Sequence, residues 1–375
     1  MFSFQLNESE ERNVLGIMSG TSCDGLDFAL IRVSMKKNVP QFSIQTTQFI
    51  PFPKNIKNKL ELIVRTQKVP LNILTHTLYE LSALTVKGIK KIKKKFTIDL
   101  IGVHGHTLFH DGEHKETFQL VSSQLISKQT SIPTVSDFRS GDTALLGEGA
   151  PLVSLFDYLC WNDPDKNQLI LNIGGISNGT YIHKKVREKG VISFDFGPGN
   201  TFVDHVSQTL FSVPYDKNGE IAFKGKVNSE LVYHWIKNEP YFSKNFPKTT
   251  GREYFTSAYC DRLITDCKQK SLSNEDTLAT ISAFTVRSII YQLNLFEMNV
   301  DELMITGGGA YNVFFNSIFV DSGFQIKQVS DELKSYKEAI IFALMAYYFV
   351  IERPSNLPSA TGAKRKTVLG SFSWG

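Results

Sequence analysis

Three times along this chain a short run of apolar, β-branched residues gives way to a glycine-rich turn, and no other feature limits its folding choices as much. The turns read GIMSGTSCDG at 16–25, NIGGISN at 172–178 and TGGGAYN at 306–312. Glycine lets a backbone approach an anion closely, so exposed N–H groups and hydroxyls there can bond phosphate oxygens. Strands that feed such turns, with long helical stretches between them, indicate an α/β class and not an all-β one. One such turn alone can be purely structural. Three together, the first with hydroxyls at Ser19, Thr21 and Ser22 and a carboxylate at Asp24, point to phosphate binding. Asp24 could hold Mg²⁺ directly or through water, as hard-cation chemistry prefers.

The pattern predicts a β-hairpin from 14–19 and 28–34, a helix over 69–95, a strand at 99–103 ending at His104-Gly105-His106, a helix over 121–129 and a strand at 132–135. A second unit is expected to begin near Gly141. In it, a strand at 168–172 runs into Gly174-Gly175, and 179–182 with 191–194 suggest another hairpin. Helices are expected at 201–210, 277–295 and 335–352, with a strand at 302–305. The arrangement of strand, glycine turn and hairpin thus occurs near residue 16 and again near 174. The tail after the last helix could pack back on the first unit.

Composition excludes several classes. The 375 residues are 42% hydrophobic and 21% charged, ordinary for a soluble globular protein of two domains. A net charge of +4 carries no nucleic-acid signature. The lysines at 87, 90, 91, 93, 94 and 95 have only Phe96 as an aromatic neighbour, so they read as a solvated helix face. The apolar run 339–351 is thirteen residues long, too short to span a bilayer, and reads as a buried core helix. Cys23, Cys160, Cys260 and Cys267 have no zinc-ligand spacing, which suits reduced thiols in a cytoplasm. No partner among nucleic acids or membranes is expected.

The phosphate reading does not rest on a Walker pattern, which is absent, nor on a dinucleotide fingerprint, since 307–309 lacks the third spaced glycine. Gly16–Gly20 also fails the nucleophile elbow of hydrolases. For acid–base work the candidate is Asp195, placed by FDFGPGN (194–200) at a strand end before a rigid Gly-Pro-Gly turn. A carboxylate fixed there can act as general base. It could instead cap the next helix, although Asn200 is itself a plausible cap. Asp137, Arg139 and Asp142 form a polar cluster, either a carboxylate- or phosphate-binding fork or a structural ion pair. His104, His106 and His110 could bind zinc, but no Cys or carboxylate set completes a site, and hydrogen bonds to a sugar hydroxyl or backbone fit better.

In combination, MSGTSCDGLD (18–27), VHGHTLFH (103–110), DFRSGD (137–142), GAPLV (149–153), NIGGISN (172–178), FDFGPGN (194–200), TGGGAYN (306–312) and NLPSATGA (356–363) follow the order found in anhydro-N-acetylmuramic acid kinases. The resemblance covers essentially the whole chain. It implies the two-domain actin-like ATPase (ribonuclease H-like) fold of the hexokinase, actin and heat-shock-70 superfamily, with a nucleotide cleft between the domains. The expected domains are 1–137 plus 355–375, carrying the first phosphate loop, and 138–354, carrying the second phosphate and adenosine loops. The implied reaction cleaves the 1,6-anhydro ring with water and phosphorylates O6 from ATP with Mg²⁺, giving N-acetylmuramic acid 6-phosphate in cell-wall recycling.

By this resemblance Asp195 aligns with the carboxylate that activates water. Ser19, Gly20, Thr21, Ser22, Cys23, Asp24, Gly25, Leu26 and Asp27, with Gly174, Gly175, Asn178, Gly307, Gly308, Gly309 and Asn312, align with the ATP-binding loops. His104, Arg139, Asp142, Gly199 and Asn200 align near the sugar. The resemblance further implies a cytoplasmic homodimer. The chain departs from the family's pattern at Leu146 and Glu148, where glycine and glutamine are usual, at Val121 for a glycine, at His106 for a glutamine and at Phe196 for a threonine. A non-catalytic relative of the same fold, or an actin-like or chaperone ATPase, are the other readings. Intact Asp24 and Asp195 favour the enzyme, and the complete motif order without an extended peptide-binding domain argues against the last.

Overall fold

The computed structural model describes residues 8–20, 23–185, 188–246, 248–251 and 253–375. Its strands are β1 (Arg12–Ser19), β2 (Gly25–Lys36), β3 (Val39–Pro51), β4 (Leu100–Asp111), β5 (Glu116–Leu120), β6 (Thr134–Ser136), β7 (Gln168–Ile173), β8 (Ile176–Ile182), β9 (Ile192–Pro198), β10 (Glu302–Thr306) and β11 (Ser371–Ser373). Two compact units form: 1–161 with 336–375, and 162–335.

In the first unit the sheet order is β11-β6-β4-β1-β2-β3, with β5 added to β4. β1, β2 and β3 form an antiparallel meander, and β4 joins β1 in parallel. The expected hairpin is therefore present, with Met18 opposite Asp27. The helix Leu71–Lys93 buries Leu81, Val86, Ile89 and Ile92 on one stripe and leaves the predicted lysine face exposed. The apolar helix is Asp331–Val350, and from Ala339 onward nearly every side chain is buried. It lies directly on the sheet, because a Cβ at Gly16 would stand 1.8 Å from the Ala339 carbonyl oxygen and one at Gly102 would stand 2.2 Å from that of Phe342. Gly16 is thus a packing glycine inside β1 and not part of the turn. The tail does return to this unit, with β11 pairing antiparallel to β6.

The second unit repeats the arrangement. β7, β8 and β9 form an antiparallel meander and β10 joins β7 in parallel, giving the order β10-β7-β8-β9. Its core is rich in phenylalanine, with Phe202, Phe242, Phe255 and Phe284 fully buried. The helix Asn274–Leu295 starts at a Ser273 cap that accepts from the Asp276 N–H. It is apolar on most sides, as a helix enclosed by its own unit must be.

The division differs from the expected one. Residues 138–161 and 336–354 belong with the first unit because their side chains are bound there. Lys337 pairs with Asp157 at 2.9 Å with both buried, and the long helix lies on β1 and β4. Among the described residues no helix is long and apolar enough to cross a membrane.

Candidate active site

The first unit brings its candidate residues to the C-terminal end of β1. Ser19 ends that strand, and the Cys23 N–H returns to the Gly20 carbonyl at 3.3 Å. Thr21 and Ser22, expected to donate hydroxyls, lie outside the described residues. The loop is held from the side by His106, whose Nδ1 is 2.8 Å from Ser19 Oγ and whose Nε2 is 3.3 Å from Cys23 Sγ. Burial lowers His106 to about 4, so the ring is neutral at physiological pH. The strand does not end at His104 as expected. β4 runs on to Asp111 and turns back as β5, which is how His106 reaches the loop.

Asp24 is exposed and lies 3.6 Å from Lys57 Nζ. Asp27 is more enclosed. Burial, with the charges of Glu338 and Asp24 beside it, raises Asp27 to about 7. Burial likewise raises Glu338, against the pull of Lys337 and Arg139. Among the described residues no cluster of three or more His, Cys, Asp or Glu forms a metal cage, so the zinc reading of the histidines has no support there.

His104 and Arg139 do come together. Arg139 Nε donates to His104 Nε2 at 3.0 Å and its Nη1 donates to the Gly149 carbonyl at 3.0 Å. The other ring nitrogen of His104 lies 2.9 Å from the Gly105 carbonyl, which fixes a neutral tautomer with the proton on Nδ1. Burial and then the Arg139 charge hold His104 well below its ordinary value. Asp142 has a different role from the one expected. It is fully buried, with Oδ1 accepting from Asn356 Nδ2 (2.8 Å) and Thr361 Oγ1 (2.9 Å) and Oδ2 accepting from the Gly149 N–H (2.9 Å). It brackets the 356–361 segment and has no surface to offer a sugar. Leu146, where the family's pattern has glycine, takes a left-handed φ of 66° and is 52% exposed.

In the second unit the three expected segments converge. The N–H groups of Gly199 and Asn200 donate to the carbonyls of Gly175 (2.9 Å) and Gly174 (2.8 Å). A Cβ at Gly199 would stand 2.3 Å from the Gly174 carbonyl, and one at Gly308 would stand 3.2 Å from Asn200 Nδ2. Gly307 takes φ +77°, with Asn172 Oδ1 and the Ile173 carbonyl filling the place of a Cβ, so only glycine fits. Asn200 is not the helix cap. It is the first helical residue, and its Nδ2 donates to the Ile173 carbonyl at 3.1 Å. Asn312 is committed to capping Val313–Asp321, accepting from the Phe315 N–H at 3.1 Å.

Asp195 lies within β9 and not at its end. Its register partner on β8 is Asn178, whose partner on β7 is Asn172, whose partner on β10 is Thr306. Directly opposed residues share a face, so these four make one polar row across the sheet. The β8–β9 register shifts between Ser177 and Asn178, next to Asp195's partner. Asp195 Oδ2 accepts from the Thr250 N–H at 2.9 Å, its N–H donates to the Lys248 carbonyl at 3.2 Å, and its carbonyl accepts from Tyr241 Oη at 2.7 Å. Sequence reasoning placed Asn172 in the second glycine turn and missed Tyr241, Lys248, Thr250 and Glu338. The one available signal was Glu338, a carboxylate opening an otherwise apolar run.

A family model described as anhydro-N-acetylmuramic acid kinase matches residues 12–374. Curated relatives named anhydro-N-acetylmuramic acid kinase include one from Bacillus thuringiensis subsp. konkukian (strain 97-27), 34% identical over 380 residues that cover 96% of this chain and 99% of the relative. Another, from Bacillus cereus, is 35% identical over 381 residues, covering 96% of this chain and 99% of the relative. Among solved structures, component A of the (R)-2-hydroxyglutaryl-CoA dehydratase of Acidaminococcus fermentans aligns with a TM-score of 0.47 at 13% identity, covering 90% of this chain and 99% of that one.

Proposed function

This chain belongs to the anhydro-N-acetylmuramic acid kinase family, and from that premise we propose that it opens the 1,6-anhydro ring of anhydro-N-acetylmuramic acid while moving the γ-phosphate of ATP to O6. In this reading Asp195 is the general base. It removes a proton from water as the water oxygen bonds to C1. The C1–O6 bond breaks, O6 takes the γ-phosphoryl group, and ADP departs. The observation that carries the reading is the fixed Asp195 carboxylate in its polar row: Thr250 sets its direction, and Asn172 and Asn178 stand beside it with amides suited to ligand oxygens.

The glycines at 174–175 and 307–309 would let phosphate oxygens approach the backbone, with Asn200 behind them. On the first unit, the loop from Ser19 to Asp27 would take the phosphates, and Arg139 with His104 would face the sugar. Magnesium fits the carboxylates present. Asp24, exposed beside the first turn, would hold it directly or through water, together with the phosphates of ATP. A bound Mg²⁺ would neutralise charge on the transferring phosphoryl group. Four free cysteines suit a reducing cytoplasm, and we read the chain as a cytoplasmic homodimer on the family resemblance.

The test is a coupled ADP assay with Mg²⁺-ATP and the anhydro-sugar. ADP release that depends on the sugar is expected. Asp195→Asn is expected to lower kcat by about 10²–10⁴-fold while sparing ATP binding measured by calorimetry. No sugar-dependent ADP release would refute the substrate, and full activity of Asp195→Asn would refute the base.

A further inference from the structure

Behind Asp195 sits a lysine that no step of this reaction uses. Lys248 is only 3% exposed. Its Nζ donates to Gln292 Oε1 at 2.7 Å and to the carbonyls of Tyr241 and Phe242 at 3.2 and 3.4 Å. The rings of Tyr241, Phe296 and Phe194 lie 4.8, 5.2 and 5.4 Å from it. An ammonium has three donors, and here each meets a neutral acceptor, with aromatic faces supplying cation–π attraction where a counter-ion would otherwise stand. Burying a cation this way is unfavourable, and a methionine would fill similar volume at less cost. What methionine cannot do is fix three acceptors in place.

Those acceptors converge on the strand that carries the carboxylate. Gln292 is oriented by its own Nε2, which donates to the Phe196 carbonyl at 2.7 Å and that of Ser288 at 2.9 Å. Tyr241 Oη holds the Asp195 carbonyl, the Lys248 carbonyl holds the Asp195 N–H, and the Thr250 N–H, two residues on, holds Oδ2. We infer that Lys248 is a positioning residue for the water-activating carboxylate: its ammonium ties the 241–242 turn and the helix Asn274–Leu295 to the segment that aims Asp195. The inference rests on Asp195 being the base.

The charge on Lys248 makes this testable by pH. Burial, and less so the neighbouring Lys244, brings Lys248 down to about 8. The other titratable groups packed around it are Asp195 on β9, Tyr241, and Glu239, whose carboxylate takes the Tyr241 N–H and the hydroxyls of Tyr254 and Tyr259. The helix presents neutral Gln292. Above that pH a neutral amine offers two donors to three acceptors, the clamp loosens and kcat falls. Stability moves the other way. An unfolded lysine keeps its proton to roughly 10.4, so above about 8 the unfolded state holds more protons and the fold gains stability as pH rises. A lysine that was merely structural would not set activity against stability.

The experiment is steady-state kinetics of the full chain across neutral and alkaline pH, with thermal melts alongside. Lys248→Met is expected to lose about 10²-fold in kcat, the cost of a misplaced catalytic group, with KM for ATP and sugar little changed and the alkaline limb gone. Gln292→Glu gives the ammonium a carboxylate and should move that limb upward. A folded Lys248→Met with kcat within about twofold of the parent, while Asp195→Asn is inactive, overturns the inference alone. An alkaline limb unmoved in Gln292→Glu does the same, even if Lys248→Met does not fold. Activity in Asp195→Asn overturns the base and the inference together.

Discussion

His106 holds both flanks of the first turn, one ring nitrogen on Ser19 Oγ and the other on Cys23 Sγ. His106 stands where the family's pattern has glutamine, yet a neutral ring with one donor and one acceptor nitrogen can do the work of an amide. His106→Gln is expected to keep KM for ATP close to that of the parent. His106→Ala removes two hydrogen bonds of about 1 kcal/mol each, and KM for ATP should rise by roughly tenfold or more. Steady-state kinetics of the pair checks this, and an alanine variant with unchanged KM would show that the ring is not a loop clamp. Leu146, the other departure, is held in a left-handed conformation that costs a branched or bulky residue about 1–2 kcal/mol.

Among the elements, the junction of β1 and β4 with the helix Asp331–Val350 leaves little room for change. At Gly16 and Gly102 the helix backbone occupies the space of a side chain. Gly16→Val would meet backbone, which cannot move aside as a flexible side chain can, so a loss of at least about 3 kcal/mol is expected, read by urea denaturation. A variant as stable as the parent would mean the helix can lift away. The sequence made Gly16 look like part of the phosphate turn, because nothing local separates a glycine that meets phosphate from one that meets a helix. Long periodic segments were legible: 277–295 was expected and Asn274–Leu295 is observed. β3 and β5 were missed because their residues are mostly half-exposed and polar, with no apolar run to mark them. At the site, the glycine turns and Asp195 could be read from local pattern. Thr250 and Lys248 could not, since their roles depend on a loop returning across more than fifty residues to β9.

For the whole molecule, Asp142 matters more as a bracket than as a ligand. Two of its three hydrogen bonds, from Asn356 and Thr361, join 139–149 to the 356–361 segment, and the third, from the Gly149 N–H, closes the 142–149 loop. Asp142→Ala leaves three donors without their acceptor, so a loss of about 3 kcal/mol or more is expected. Limited proteolysis should then cut the segment after Arg353 sooner than in the parent, whereas an unchanged cleavage pattern would show that β11 alone secures the tail.

The discontinuity of the first unit also bears on how the chain is born. The sheet that carries Ser19 and His106 emerges from the ribosome with its glycine-lined face bare, because the part of the helix Asp331–Val350 that covers β1 and β4, from Ala339 onward, is made last. At 5–20 residues per second, residues 162–335 take roughly ten to thirty-five seconds to add. For that interval the nascent sheet lacks the helix that packs on Gly16 and Gly102 in the finished unit. The second unit, continuous in sequence, can finish folding first.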